Sequence, residues 1–342
     1  MAEKSTAANP DQAELRGWLE TALPPVNIDL DSGIYGCKRL LADYCGFKHI
    51  PWQGYFLSGG SNWQHGWHPP EHNIHPEVVV GTDCKSYLLK DKARFFVARE
   101  DQREYLSSHG YTDVQVIGMP FVYTKLESTR RIPGSLLIMP THSGDLLEPV
   151  ENCEEYVEAI RSIAHRFSHV AVCVHGNCRK QGRWVPHFES IGIPVFDGAE
   201  RRDANALRRV RFLMDTFEFV TTNGFGSHLA YASYSGAKVS IWGPPEWKDV
   251  NAIRSSQRWK DFPPPYRLVL EQMTNDTLSG FFPELFSEPQ EARIAKDWSR
   301  WQLGVSNIPT PWVLKRLIGW DLKTRLIQSF KVLSARRNAS KN

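Results

Sequence analysis

The sequence predicts an α/β protein with two Rossmann-like units, each built on a parallel sheet. Three observations lead there. Short apolar runs alternate with helix-length amphipathic segments through the second half, the same alternation occurs once in the first half, and the stretch between them is polar without apolar periodicity. At about 100 to 200 residues per domain, 342 residues suit two domains better than one.

Up to Glu77 the chain is irregular and rich in His, Trp, Gly and Pro. An apolar run, Val78 to Val80, precedes a strand over Arg94–Ala98, a polar helix over Asp101–His109 and a second strand over Val114–Ile117. Strand, helix, strand at this spacing makes a βαβ unit. Between Tyr123 and Pro133 charge and polarity dominate, which places a linker at 125–134 between domains at 1–124 and 135–300. The second half then reads as strand Ser135–Met139, helix Asn152–Arg166, strands His169–Val174 and Ile193–Phe196, helix Asp203–Phe217, strand Glu218–Thr221, helix Gly226–Ser235 and strand Lys238–Trp242. That pattern is a doubly wound domain, in which ligands bind beyond the carboxyl ends of the strands.

The formal net charge is only +3, too small for a surface that wraps nucleic acid, so no nucleic-acid partner is expected. The charge is local. From Thr310 to Asn342 eight basic residues face one acid, Asp321, so the tail carries +7 and the rest −4. Six cysteines without a CxxC pair read as reduced thiols. The first twenty residues lack the apolar core of a signal peptide, and no uncharged apolar run of about 18 residues occurs, so a cytoplasmic location is expected.

The residues after each strand are the candidates for chemistry. Thr222-Asn223-Gly-Phe-Gly226-Ser227-His228 links a strand to a helix start, where exposed N–H groups favour an anion and the Thr222 and Ser227 hydroxyls can complete a phosphate cradle. The same residues also suit a plain helix cap. His175-Gly176, with Arg179 and Lys180 close behind, offers an imidazole to a phosphate or leaving group, or simply caps its strand. Thr141-His142-Ser143 follows the first strand of this half in the same way. In the first half His65, His68, His72 and His75 fall within eleven positions. They have no HExxH pattern, no helical register across Pro69-Pro70 and no neighbouring Cys, so a metal site is not expected, nor is a cofactor. His65, in a turn with Gly66, suits a general base, and Glu71 and Asp83 are the carboxylates that could serve instead.

In order and spacing, Pro140-Thr141-His142, His175 and Thr222 to Ser227, with the apolar helix leading into Val239-Ser-Ile-Trp-Gly243, resemble the donor-binding domain of GT-B glycosyltransferases. Within that group the pattern is similar to the bacterial CMP-sugar transferases of sialyl and Kdo type and to the teichoic-acid glycerophosphotransferases. Gln64-His65-Gly66 resembles their His-Gly turn, and Gly118-Met-Pro120 their interdomain turn. The resemblance implies a GT-B-like fold facing a cleft, with an acceptor-side first domain and a nucleotide-donor domain second. It also implies a glycosyltransferase that moves a sugar from a nucleotide donor, CMP-linked by this likeness, to a surface polysaccharide or glycolipid. A nucleotide-sugar epimerase of the same superfold and a non-catalytic member of an assembly or export complex are the alternatives.

The tail, 309–342, is amphipathic at helical spacing, with Leu314, Leu317, Ile318, Leu322, Leu326, Phe330 and Leu333 on one face among Lys and Arg. Such a helix either lies on an anionic membrane surface or packs across the two domains.

Overall fold

The computed structural model describes residues 10–51, 54–57, 60–64, 76, 79, 86–141, 153–245, 250–255, 259–260, 267, 271 and 274–326. Helices α1 (Pro10–Ala22) and α2 (Cys37–Tyr44) come first, then β1 (Phe95–Val97), α3 (Glu100–Ser108) and β2 (Val114–Val116). β1 and β2 pair in parallel, Phe95 opposite Val114, as the βαβ reading requires. Val78 and Val80 lie outside the described residues.

The second sheet has five strands. Its elements are β3 (Ile132–Ile138), α4 (Cys153–Ala164), β4 (His169–Val174), α5 (Gly176–Lys180), α6 (Val185–Ser190), β5 (Val195–Asp197), α7 (Ala206–Thr216), β6 (Phe217–Thr222), α8 (Ser227–Tyr234) and β7 (Lys238–Ile241). The order is β5-β4-β3-β6-β7, parallel throughout. The strands are near-continuous apolar runs because both faces are covered, as parallel sheets demand. On one face Tyr156, Val157, Ile160 and Ile163 of α4 pack over Leu136, Ile138 and Val172. The helices that follow include α9 (Val250–Ser255), α10 (Asn275–Phe281), α11 (Lys296–Gln302) and α12 (Pro311–Leu317). The protein is thus mixed α/β with parallel sheets. Among the described residues no helix is long and apolar enough to cross a membrane.

Glu218 clips three strands together. Its carboxylate accepts from Gly134 N–H on β3 at 2.6 Å and from Lys238 Nζ on β7 at 2.7 Å, and these bonds hold it below the usual carboxylate range.

The packing departs from the expected cut at residue 124. α1 lies against β4, where Val170 N–H donates to Gln12 Oε1 at 3.3 Å, and residues 27–36 run along 200–205 of the second sheet's side. The 125–134 stretch is not a free linker either. It contains Ile132, the start of β3, and Arg131 donates to the carbonyls of Phe217 and Ser235 at 2.6 and 2.7 Å. Its polarity serves these anchors, which a search for apolar periodicity cannot see. One apolar core runs from Leu19 and Leu40 through Trp63 and Phe121 to Phe217 and Trp320.

The tail is not one amphipathic helix. α12 stops at Ile318, Gly319 turns with φ +77°, and a second helical run begins at 322. Leu314, Ile318 and Trp320 are fully buried, with Trp320 against Phe47 and Phe56, each at 6.0 Å. Ile318 O accepts from Tyr55 N–H and Leu317 O from Arg94. This first part is a brace on the protein. Leu322 and Leu326 are exposed, while Phe330 and Leu333 lie outside the described residues.

A Cβ on Gly319 would stand 2.8 Å from the Tyr55 ring and 3.2 Å from Gly54 Cα. Gly46 has the same φ of +77° but open space around it. Gly46→Ala should therefore cost about 1 kcal/mol from backbone strain alone, and Gly319→Ala roughly 2 to 4 kcal/mol, both read from urea unfolding midpoints.

Candidate functional site

β3 and β6 lie side by side although α4, β4, β5 and α7 separate them in sequence, so the chain leaves β3 toward one edge of the sheet and β6 toward the other. The crevice at their carboxyl ends is the switch point of such a sheet. Asn223 builds it. Its Oδ1 accepts from Thr141 N–H at 3.0 Å and its Nδ2 donates to Pro244 O at 3.3 Å, tying the ends of β3, β6 and β7. Thr222 is turned inward, donating from its hydroxyl to Gly224 O at 3.1 Å. Thr222 and Asn223 are buried, so their side chains serve the loop.

α8 begins at Ser227 with Gly226 as N-cap and no side-chain cap bond. The His228 imidazole folds back over Gly226, where a Cβ would stand 2.6 Å from the ring. The Ser227 side chain bonds Tyr231 one turn on. Burial pushes the Tyr231 phenol well above its ordinary pKa, with Tyr35 reinforcing the rise and Ser227 opposing it, so it stays protonated.

His175 sits directly after β4 and caps α5. Its Nδ1 accepts from Asn177 N–H at 3.1 Å, so the neutral ring carries its proton on Nε2, which lies 3.3 Å from the Tyr35 hydroxyl oxygen. Gly176 is pressed against Glu200, whose carboxylate pairs with Lys180 at 2.7 Å. His175 and Tyr35 are joined by one contact and Tyr231 and Ser227 by another, and the two pairs make a polar series from the end of β4 to the start of α8 whose middle step, Tyr35 to Tyr231, is electrostatic.

Tyr35 belongs to the segment 27–36, which is laid along 200–205 by bonds from Asp29 N to Arg202 O, Tyr35 N to Arg201 O and Ala204 N to Asn27 O. Buried Asp203 accepts from the backbone of Asn27 and Asn205 and pairs with Arg209. Gly36 abuts the Ala204 backbone so closely that no Cβ fits, and Tyr35 takes a left-handed φ of +55° beside it. Such strain persists only where its surroundings over-determine it. Sequence reasoning missed Tyr35. The only signal was Gly33 and Gly36 around it.

One residue beyond His175, Gly176 lines a cavity of about 830 Å³ whose wall also includes Val26, Ile28, Asn177 and the ion pairs Arg179–Asp197 and Lys180–Glu200. His65, Glu71, Asp83, His142 and Ser143 lie outside the described residues. Gln64, just before His65, is held at the end of β1: its N–H donates to Phe96 O at 3.0 Å and its Oε1 accepts from Ala98 N–H at 3.1 Å.

No protein-family model matches the chain, and no curated protein matches it. The similar solved structures include a crystal structure from Listeria monocytogenes, provisionally assigned as a UDP-N-acetylglucosamine 2-epimerase. Identity is 12%, and the likeness covers 83% of this chain and 88% of that one at a TM-score of 0.31. A score that low carries no argument. The α/β description rests on the sheets themselves.

Asn223→Ala would leave the buried Thr141 N–H without its acceptor and should cost about 2 kcal/mol of stability. Ser227→Ala, at a half-exposed position, should cost under about 1 kcal/mol. Parallel urea titrations of the two variants separate the residue that builds the crevice from the residue that faces it.

Proposed function

We propose that this chain binds a nucleotide-activated sugar with its phosphate at the carboxyl ends of β3, β4 and β6, and transfers the sugar to a glycan or glycolipid acceptor. The series His175–Tyr35–Tyr231–Ser227 carries this reading. It sets hydrogen-bond donors between a strand end and a helix start, beside a cavity of a size suited to small ligands, about 300 to 1,000 Å³. As the bond from sugar to phosphate breaks, charge gathers on the phosphate oxygens. The Nε2–H of His175 and the start of α8 meet that charge. The base that takes the acceptor hydroxyl's proton is assigned to His65, with Asp83 and Glu71 as alternative carboxylates, and the CMP-linked donor follows from the resemblance of the strand-end motifs.

The test is incubation with CMP-, UDP- and GDP-linked sugars, with and without glycan acceptors, followed by chromatography of nucleotide and sugar. Nucleotide release that needs an acceptor is expected. In calorimetric titration His175→Ala and Ser227→Ala should each lose about 1 to 3 kcal/mol of nucleotide binding, and His65→Ala should spare binding but lower turnover about 100-fold. Conversion of the donor sugar without acceptor would make the protein an epimerase. Binding without any conversion would make it a non-catalytic component of an assembly.

The tail's role is part of the same proposal, for an enzyme acting on lipid-linked acceptors belongs at an anionic membrane surface. Since Leu314, Ile318 and Trp320 belong to the core, the surface role is proposed for the part of the tail after Asp321, which opens on the exposed Leu322 and Leu326. Truncation after Asp321 should leave the fold and nucleotide binding intact but abolish salt-sensitive co-sedimentation with phosphatidylserine vesicles, each basic residue being worth about 1 kcal/mol there. Truncation after Ile308 should unfold the protein. Vesicle binding that survives the shorter truncation would refute the surface role.

A further inference from the structure

Among the described residues three arginines are almost wholly buried, and the fold treats them differently. Arg99 pairs with Asp101 at 3.0 Å and donates to Gln302 at 3.1 Å, and Arg209 pairs with Asp203. Among the described residues Arg183, 5% exposed, has no oxygen or nitrogen partner on Nε, Nη1 or Nη2. Its close polar neighbour is the Cys153 thiol, a weak acceptor; burial raises that thiol's pKa and the guanidinium draws it partly back. A buried guanidinium without an anion is strongly disfavoured, and the other two arginines show how this chain ordinarily avoids it.

Two further orphaned groups share the neighbourhood. The Thr141 Oγ1 and Tyr156 hydroxyls are buried and have no hydrogen-bond partner among the described residues. Trp184, the residue after Arg183, connects them. Its indole N–H donates to Thr141 O at 2.9 Å and its ring lies 5.7 Å from that of Tyr156. Trp184 holds a φ of +63°, a strained value for a large side chain, on the bond that fixes Arg183 relative to that indole. Two glycines line the same groups: a Cβ at Gly224 would stand 2.5 Å from Thr141 Cγ2, and one at Gly243 would stand 2.9 Å from the Tyr156 ring.

A guanidinium supplies only donors, and each hydroxyl adds one more. We propose that Arg183, with the Thr141 and Tyr156 hydroxyls, forms a buried receptor for an oxyanion of phosphate type at the carboxyl end of β3. The chemistry is the same whether the ligand is free phosphate or the phosphate of a nucleotide. Only in the second case is it a subsite of the proposed sugar-nucleotide site, on which it does not otherwise rest.

The test uses the full chain in phosphate-free buffer, with thermal melting and calorimetric titration of inorganic phosphate and of UDP and CMP. Arg183→Met keeps the length of the side chain and removes the uncompensated charge. It should melt higher than the parent without ligand and lose the stabilisation that phosphate or nucleotide gives the parent. Tyr156→Phe should melt like the parent and bind about 10-fold more weakly, the loss of one hydrogen bond to a charged group. Response to phosphate alone marks an independent anion site, and response to nucleotide alone marks a donor subsite. The proposal is overturned if neither ligand stabilises the parent, if Arg183→Met melts lower in ligand-free buffer, or if both variants bind as the parent does. Should Arg183→Met fail to fold, parent-like binding by Tyr156→Phe and Thr141→Val is enough to overturn it. Nucleotide binding that survives Arg183→Met but not Ser227→Ala, together with a parent that does not respond to inorganic phosphate, would sink this receptor and leave the sugar-nucleotide reading standing.

Discussion

The pairing of β6 with β3 is the constraint on which the remaining architecture depends. It puts Leu136 opposite Phe219 and Ile138 opposite Thr221, and so brings together strand ends that are eighty residues apart in the chain. Everything polar in the crevice is arranged around that juxtaposition. The Asn223 amide spans it, Glu218 clips its opposite end to β7, and α8 starts where β6 releases the chain. Backbone groups at such a junction have no strand neighbour and must find side chains, so Asn223 and Thr222 are buried although their types usually face water.

A second level of organisation comes from outside the sheet. The segment 27–36 sends Ile34 and Tyr35 to the core but leaves Ile28 and Leu30 exposed. It is held by backbone bonds to 200–205 and by Asp203, a buried carboxylate whose acceptors are filled by two N–H groups and the Arg209 guanidinium. A buried charge satisfied this fully fixes geometry more than it adds stability, because desolvation offsets most of the attraction. The geometry fixed here is that of Tyr35, set against His175 with an edge-on ring contact of 6.1 Å.

The strands of the second half were legible because burial on both faces writes itself as runs such as Val170-Ala-Val-Cys-Val174, and α4 because its apolar face repeats at helical spacing. Short α5 and α6 were not, since five or six residues hold too little periodicity to register. His175 and Ser227 were singled out by position after a strand, a rule that needs only the strand. Tyr35 and Arg183 were not, for each acquires its role from partners more than a hundred residues away or from the lack of one. The tail misled because an apolar stripe states that a face will be covered and not by what; Leu314 and Ile318 are covered by the protein itself.

The strap at 27–36 also bears on the order in which the molecule can be made. Its bonding partners at 200–205 leave the ribosome some 170 residues after it does, so its side of the polar series is synthesised long before its other side. Contacts of that sequence separation carry a large loop-closure entropy and form late. During that interval the backbone groups of Asn27, Asp29 and Tyr35 lack the partners at 200–205 that hold the strap, and a nascent chain with such an unpaired extended segment is a natural client for chaperones. The second sheet can close on its own local crossovers, and the strap, whose partners lie far along the chain, completes this side of the crevice after them.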